Sequence, residues 1–149
     1  MDLTYHFYID GSPEQVWDVF VTPEKTRKIF FDCVIDSSYV PGESIRYIGP
    51  GNDGEQTVHI YGEVLEYEPN RILSYTEHPG PSYYPNHAEI TTRVTIKLEP
   101  VGGCTKLTLI NDEWVDNHPS YEKADPAWWM LLSAIKTFVE TGKKLDLGW

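Results

Sequence analysis

DPAWWMLLSAIKTFVETG, residues 125–142, is the stretch whose periodicity decides the fold. Drawn at helical spacing, Trp128, Leu131, Leu132, Ile135, Phe138 and Val139 share an arc of about 120°. Ser133, Lys136, Thr137 and Glu140 lie elsewhere on the wheel. Asp125 is the expected cap, Pro126 suits the first helical position, and Gly142 is the stop signal. A long helix with one apolar stripe is shaped to lie on a sheet. Trp129, off the centre of the stripe, is expected at a cavity mouth or over its edge.

The sheet is written immediately upstream. Ile90, Thr92, Val94, Ile96 and Leu98 alternate with Thr91, Arg93, Thr95, Lys97 and Glu99, the pattern of an antiparallel strand with one solvated face. The runs CVIDSSYV, SIRYIG, QTVHIYGEVLEY, RILSYTE and CTKLTLINDEW read as further strands, separated by turn signals at PGE, PGNDG, EPN and PVGG. In the longest run Val58, Ile60, Gly62 and Val64 share a face, but Leu65 and Tyr67 change parity, which predicts a bulge near Gly62 or Glu63. At the amino end, Leu3 to Ile9 is a strand with Tyr5, Phe7 and Ile9 on one face. Two short helices follow. Ser12, Pro13 and Gln15 form a capping box, and Thr22 with Pro23 repeats the arrangement.

The chain has 149 residues and no internal repeat or linker, so 1–149 reads as a single domain. Lysine and arginine total 12 against 23 acidic residues, a net charge of -11 that disfavours nucleic acid and anionic membrane surfaces. The first ten residues lack the charge and apolar run of a signal peptide, and no apolar stretch reaches transmembrane length. The expectation is a cytoplasmic protein, with no membrane insertion and with Cys33 and Cys104 reduced.

Catalytic constellations are weak. The glycine turns lack the context of a phosphate loop, and His6, His59, His78, His87 and His118 form no ligand pair at metal-binding spacing. No metal or cofactor is expected. Neither cysteine sits beside an activating base. Asn111 and Glu113 share the parity of Leu107 and Leu109, which places them at the inner end of the last strand as ligand contacts. Aromatic residues are the more coherent signal, because planar groups line apolar pockets while a phenol or indole fixes one polar atom. Tyr61, Tyr75, Tyr83, Tyr84, Thr92, Asn111, Glu113, Trp128 and Trp129 are therefore the candidate ligand-binding residues, with Trp128 chiefly a wall. The segments HPGPSYYPNH, 78–87, and VDNHPSYEKA, 115–124, have the length of entrance loops.

Four segments carry a resemblance over nearly the whole chain: IDGSPEQVWDVFVTPEKTRKIF, YGEVLEYEPNRILSYTE, TTRVTIKLEPVGGCTKLTLINDEW and WWMLLSAIKTFVE. In this order they resemble the START-like superfamily, also called SRPBCC, and within it the activator-of-Hsp90-ATPase homologue-like family. The resemblance implies an α+β helix-grip fold: a curved antiparallel sheet around a long C-terminal helix, with two small helices at one end. It also implies a cavity of the kind that holds lipids, polyketides or other apolar molecules. Two departures stand out. Asn111 occupies a strand end where relatives often have histidine, and Ala127–Trp128 replaces a frequent Gly–Trp.

The expected function is non-catalytic binding or sequestration of a small hydrophobic molecule between sheet and helix. One alternative is an enzyme cyclising or hydrolysing a hydrophobic, polyketide-like substrate, with Glu113, His59, His118 or Tyr61 supplying the chemistry. The other is a stress-related or chaperone-associated interaction module using Trp149 and the aromatic loops as an exposed patch.

Overall fold

Residues 2–148 are described by a computed structural model of the chain. Strand β1 (Leu3–Ile9) is followed by helices α1 (Pro13–Val21) and α2 (Pro23–Ile29). Strands β2 (Val34–Ser37), β3 (Ser44–Pro50), β4 (Gln56–Glu68) and β5 (Ile72–Pro79) come next. A 3-10 turn at His87–Glu89 leads into β6 (Thr92–Val101), β7 (Cys104–Asp112) and the final helix α3 (Tyr121–Thr141). The seven strands form one antiparallel sheet in the order β1-β7-β6-β5-β4-β3-β2. This is the architecture expected from the alternating strands and the amphipathic terminal helix. Trp149 lies outside the described residues.

The N-terminal capping box forms as read. Ser12 Oγ accepts from the Gln15 N–H at 3.2 Å, and Gln15 Oε1 accepts from the Ser12 N–H at 2.8 Å. The second box does not form. Thr22 is also the residue that caps the C-terminal end of α1, and its hydroxyl turns back to the Asp18 carboxylate, which Lys25 pairs at 2.5 Å. These contacts hold the Asp18 carboxyl below its ordinary pKa, with the Lys25 hydrogen bond the larger cause.

Helix α3 begins about one turn before the expected start. Its first turn closes from the Ala124 N–H to the Ser120 carbonyl at 3.0 Å, so Asp125 is not the cap. Asp125 instead accepts the Tyr5 hydroxyl of β1 at 2.7 Å. Pro126 then lies in the second turn, where its missing N–H leaves only the Glu122 carbonyl without its helical donor. The other end agrees with the reading: Gly142 adopts a left-handed φ of 75° and its N–H donates to Phe138 O at 2.8 Å. Trp128, Leu131, Leu132 and Ile135 are buried in one cluster with Val94, Ile96, Leu98, Leu107 and Leu109.

The parity change in β4 resolves into two bulges rather than one near Gly62 or Glu63. Tyr47 faces Ile60 while Ile48 faces Val58, so His59 is an extra residue against β3. Val64 faces Tyr75 while Glu66 faces Ser74, so Leu65 is an extra residue against β5. Gly62 has a separate role. A Cβ there would sit 1.7 Å from the Thr76 carbonyl oxygen, so only glycine lets these backbones approach. The ladder is interrupted at this point, and the Thr76 hydroxyl accepts the Glu63 N–H at 3.0 Å. No helix among the described residues is long and apolar enough to cross a membrane.

Candidate functional site

Helix α3 approaches β1, α1 and α2 most closely, which leaves space over the β3–β5 side of the sheet. A cavity of about 560 Å³ occupies it. Tyr47 and Ile60 line it from the sheet, and Ala127, Trp128 and Leu131 from the helix. Phe30, at the end of α2, adds a further apolar wall. The bulge at His59 has a direct effect here. An extra residue rotates the strand so that consecutive side chains reach the same region, and both His59 and Ile60 line the cavity.

One wall carries a closed polar network. The Trp128 indole N–H donates to Asn111 Oδ1 at 2.9 Å. Asn111 Nδ2 donates to Thr92 Oγ1 at 2.8 Å and to the Arg93 carbonyl at 2.9 Å. Thr92 Oγ1 in turn donates to the Asp112 carbonyl at 2.7 Å. Every donor in the set has an acceptor, so three buried polar side chains coexist with an apolar cavity at little cost.

The strand beside this network is different, for Glu77 faces Thr92 directly across the β5–β6 ladder. Glu77, on β5, lines the cavity, and burial alone pushes its carboxyl up to about 7. Among the described residues no side chain or backbone group hydrogen-bonds to it or pairs with it. Its influence is felt at the Tyr47 and Tyr75 phenols, which hydrogen-bond to each other. Burial holds both phenols well above their ordinary pKa, and the Glu77 charge adds to the effect.

The loop over the entrance is pinned through three histidines. The Pro50 carbonyl can only accept, so His59 Nε2 carries the proton and donates to it at 3.0 Å. His59 Nδ1 is then the acceptor of the Tyr83 hydroxyl at 2.5 Å. His78 Nδ1 donates to the Ile90 carbonyl at 3.0 Å, and His87 Nδ1 meets the Tyr61 hydroxyl at 2.5 Å. On the facing loop, Trp114 donates to the Asn111 carbonyl at 2.9 Å and stands edge-on to His118, their centroids 4.8 Å apart. His118 Nδ1 accepts the Ser120 N–H at 3.1 Å, and burial lowers its pKa.

Five of the nine candidate residues line the cavity: Tyr83, Tyr84, Thr92, Asn111 and Trp128. Four stand elsewhere. Tyr75 is fully buried behind Tyr47. Tyr61 stacks on His78 with centroids 4.9 Å apart, beside the loop it helps to pin. Trp129 turns to the β1 side of α3, edge-on to Tyr5 at 5.0 Å, because successive helical residues diverge by about 100°. Glu113 leaves the parity of Asn111 because β7 stops at Asp112 and Glu113 adopts a φ of 53°; its exposed carboxylate lies 3.6 Å from Arg93. Glu77 and Tyr47 were missed. Counting by two along Leu73, Tyr75 and Glu77 puts that carboxylate on the inner face. Among the described residues no group of three or more histidine, cysteine or acidic side chains is arranged to hold a metal ion.

No curated protein matches the chain. Solved structures do. The Aha1 dimer from Colwellia psychrerythraea superposes with a TM-score of 0.72 at 19% identity, over 96% of this chain and 98% of that one. A protein from Arthrobacter aurescens gives a TM-score of 0.77 at 16% identity, covering 99% and 91%. CalU16 from Micromonospora echinospora gives 0.71 at 16% identity, covering 95% and 77%. At such identities these likenesses establish the shared fold. The family model described as activator of Hsp90 ATPase homolog 1-like protein matches residues 10–140. The capping box, strands β2 to β7 and all but the last residue of α3 lie inside that span, and the chain belongs to the activator of Hsp90 ATPase homolog 1-like family, within the START-like fold.

Proposed function

We propose that this protein binds and sequesters a small, largely apolar molecule in the cavity between α3 and the β3–β5 side of the sheet. The observation that carries the reading is the cavity itself: about 560 Å³, walled by Tyr47, Ile60, Trp128 and Leu131. That size falls within the range of about 300–1,000 Å³ seen for small-molecule sites. Thr92, Asn111 and Trp128 spend their polar atoms on one another, which supports a wall that shapes the ligand rather than one that gathers water. Tyr83 and Tyr84 are the proposed rim contacts.

The test is uptake of a neutral, environment-sensitive apolar dye such as Nile red, followed by fluorescence titration. Ala127→Phe places a ring into the cavity from α3, where Ala127 already lines it. The expected result is saturable binding by the native chain and a loss of about tenfold or more in the folded variant. Absence of saturable uptake, or unchanged affinity in the folded variant, would overturn the reading.

A further inference from the structure

We propose that the ligand carries a basic nitrogen on its apolar body and that Glu77 binds this nitrogen as an ammonium. The inference deepens the reading of the cavity as a small-molecule site and rests on it. Most polar side chains around the cavity are engaged by the protein; among the described residues the Tyr84 hydroxyl and the exposed Ser120 and Lys123 side chains, which also line it, are not. Thr92, Asn111 and Trp128 satisfy one another, Tyr47 is tied to Tyr75, and His59 is held between Tyr83 and Pro50. Glu77 has no hydrogen-bonding or ion-pair partner among the described residues. Glu77 is half-buried and its carboxyl opens onto the cavity rather than into packed protein, so the partner it lacks within the protein is one that the occupant of the cavity can supply.

The chemistry of that partner follows from the carboxylate. An ionised carboxylate only accepts, so the ligand must present N–H or O–H donors to it. A cation supplies donors and neutralises the charge, forming a charge-assisted bond sheltered from water. A ligand carboxylate beside Glu77 would meet repulsion from it and from a chain of net charge -11, and the lysine in the lining, Lys123, is exposed at the start of α3. A wholly apolar ligand would displace water from the carboxyl and give nothing in return. The favourable combination is an apolar body of cavity size with one protonated amine.

Three probes of one size separate the possibilities: 1-naphthylmethylamine, 1-naphthylmethanol and 1-naphthoate, titrated calorimetrically at about pH 8, where Glu77 is mostly ionised. The native chain is expected to prefer the amine over the alcohol by about tenfold or more, with the acid weakest. In Glu77→Gln the amine should fall to the affinity of the alcohol. Equal binding of amine and alcohol by the native chain overturns the ammonium assignment while leaving the cavity reading standing, and that comparison needs no variant to fold. A Glu77→Gln protein that keeps the preference also overturns the assignment. Failure of all three probes together with Nile red removes the binding site on which the inference rests.

Discussion

The indole N–H of Trp128 points at the side-chain oxygen of Asn111, 2.9 Å away across the gap between helix and sheet. Both residues are buried. The bond is a polar link between α3 and β7, made from the side of α3 that also presents Ala127 and Leu131 to the cavity.

Asn111→Ala is therefore expected to cost about 2–4 kcal/mol in urea unfolding, because it orphans the Trp128 N–H and removes both bonds made by the Asn111 amide. Combined with Trp128→Phe, the loss should be less than additive, since the second substitution removes the group the first leaves unsatisfied. Strict additivity in that cycle would show that the two side chains do not act as a pair.

Glu77 gives the fold a pH dependence of definite sign. Its carboxyl titrates near its ordinary value of 4.5 when unfolded and at about 7 when folded, so the native state holds the proton more tightly. Stability from this group is fully present below about pH 4.5, declines as pH rises through 7, and is flat above. The total swing is on the order of 3 kcal/mol. Glu77→Gln should raise the thermal midpoint by several degrees at about pH 8 and change it little at about pH 4.5. A uniform shift at both pH values would argue against a buried titrating carboxyl at this position.

Tyr83→Phe removes the hydroxyl that holds the entrance loop to His59. Loss of a bond of this kind, worth about 1 kcal/mol, should speed local opening roughly fivefold. Amide hydrogen exchange over residues 80–91 would report it, with the β6 and β7 amides as an unaffected reference. The His87–Tyr61 and His78–Ile90 bonds remain, so the loop should loosen without unfolding. Unchanged exchange in that segment would remove Tyr83 from the latch.

Fold and site were legible to different degrees for a physical reason. Periodicity is a local property, and the stripe on α3 and the alternation of β6 emerged because burial on one face repeats every turn or every second residue. The start of α3 escaped because Asp125 and Pro126 have the side chains of a helix start. Whether Asp125 caps the helix depends on Tyr5, 120 positions away. Glu113 was misplaced because a single left-handed residue ended the strand parity on which its reading rested. Glu77 was passed over although its parity with Leu73 and Tyr75 was visible. A carboxylate at a strand end is ordinarily solvated, and only the missing cover of α3 over this half of the sheet makes it a cavity group.

The two extra residues in β4 bear on how such a container can diversify. His59 and Leu65 alter the path of the strand, and one of them delivers neighbouring side chains to the cavity together. The extra residue at His59 thus shapes one wall of the chamber, while the chemistry of the lining is set by side-chain identity. A deletion at His59 would reshape that wall without touching α3, and substitutions at Tyr47, Glu77 or Leu131 would change the contents of the chamber without altering its frame. Capacity and selectivity are stored in separate parts of the chain, so either can drift while the other is retained.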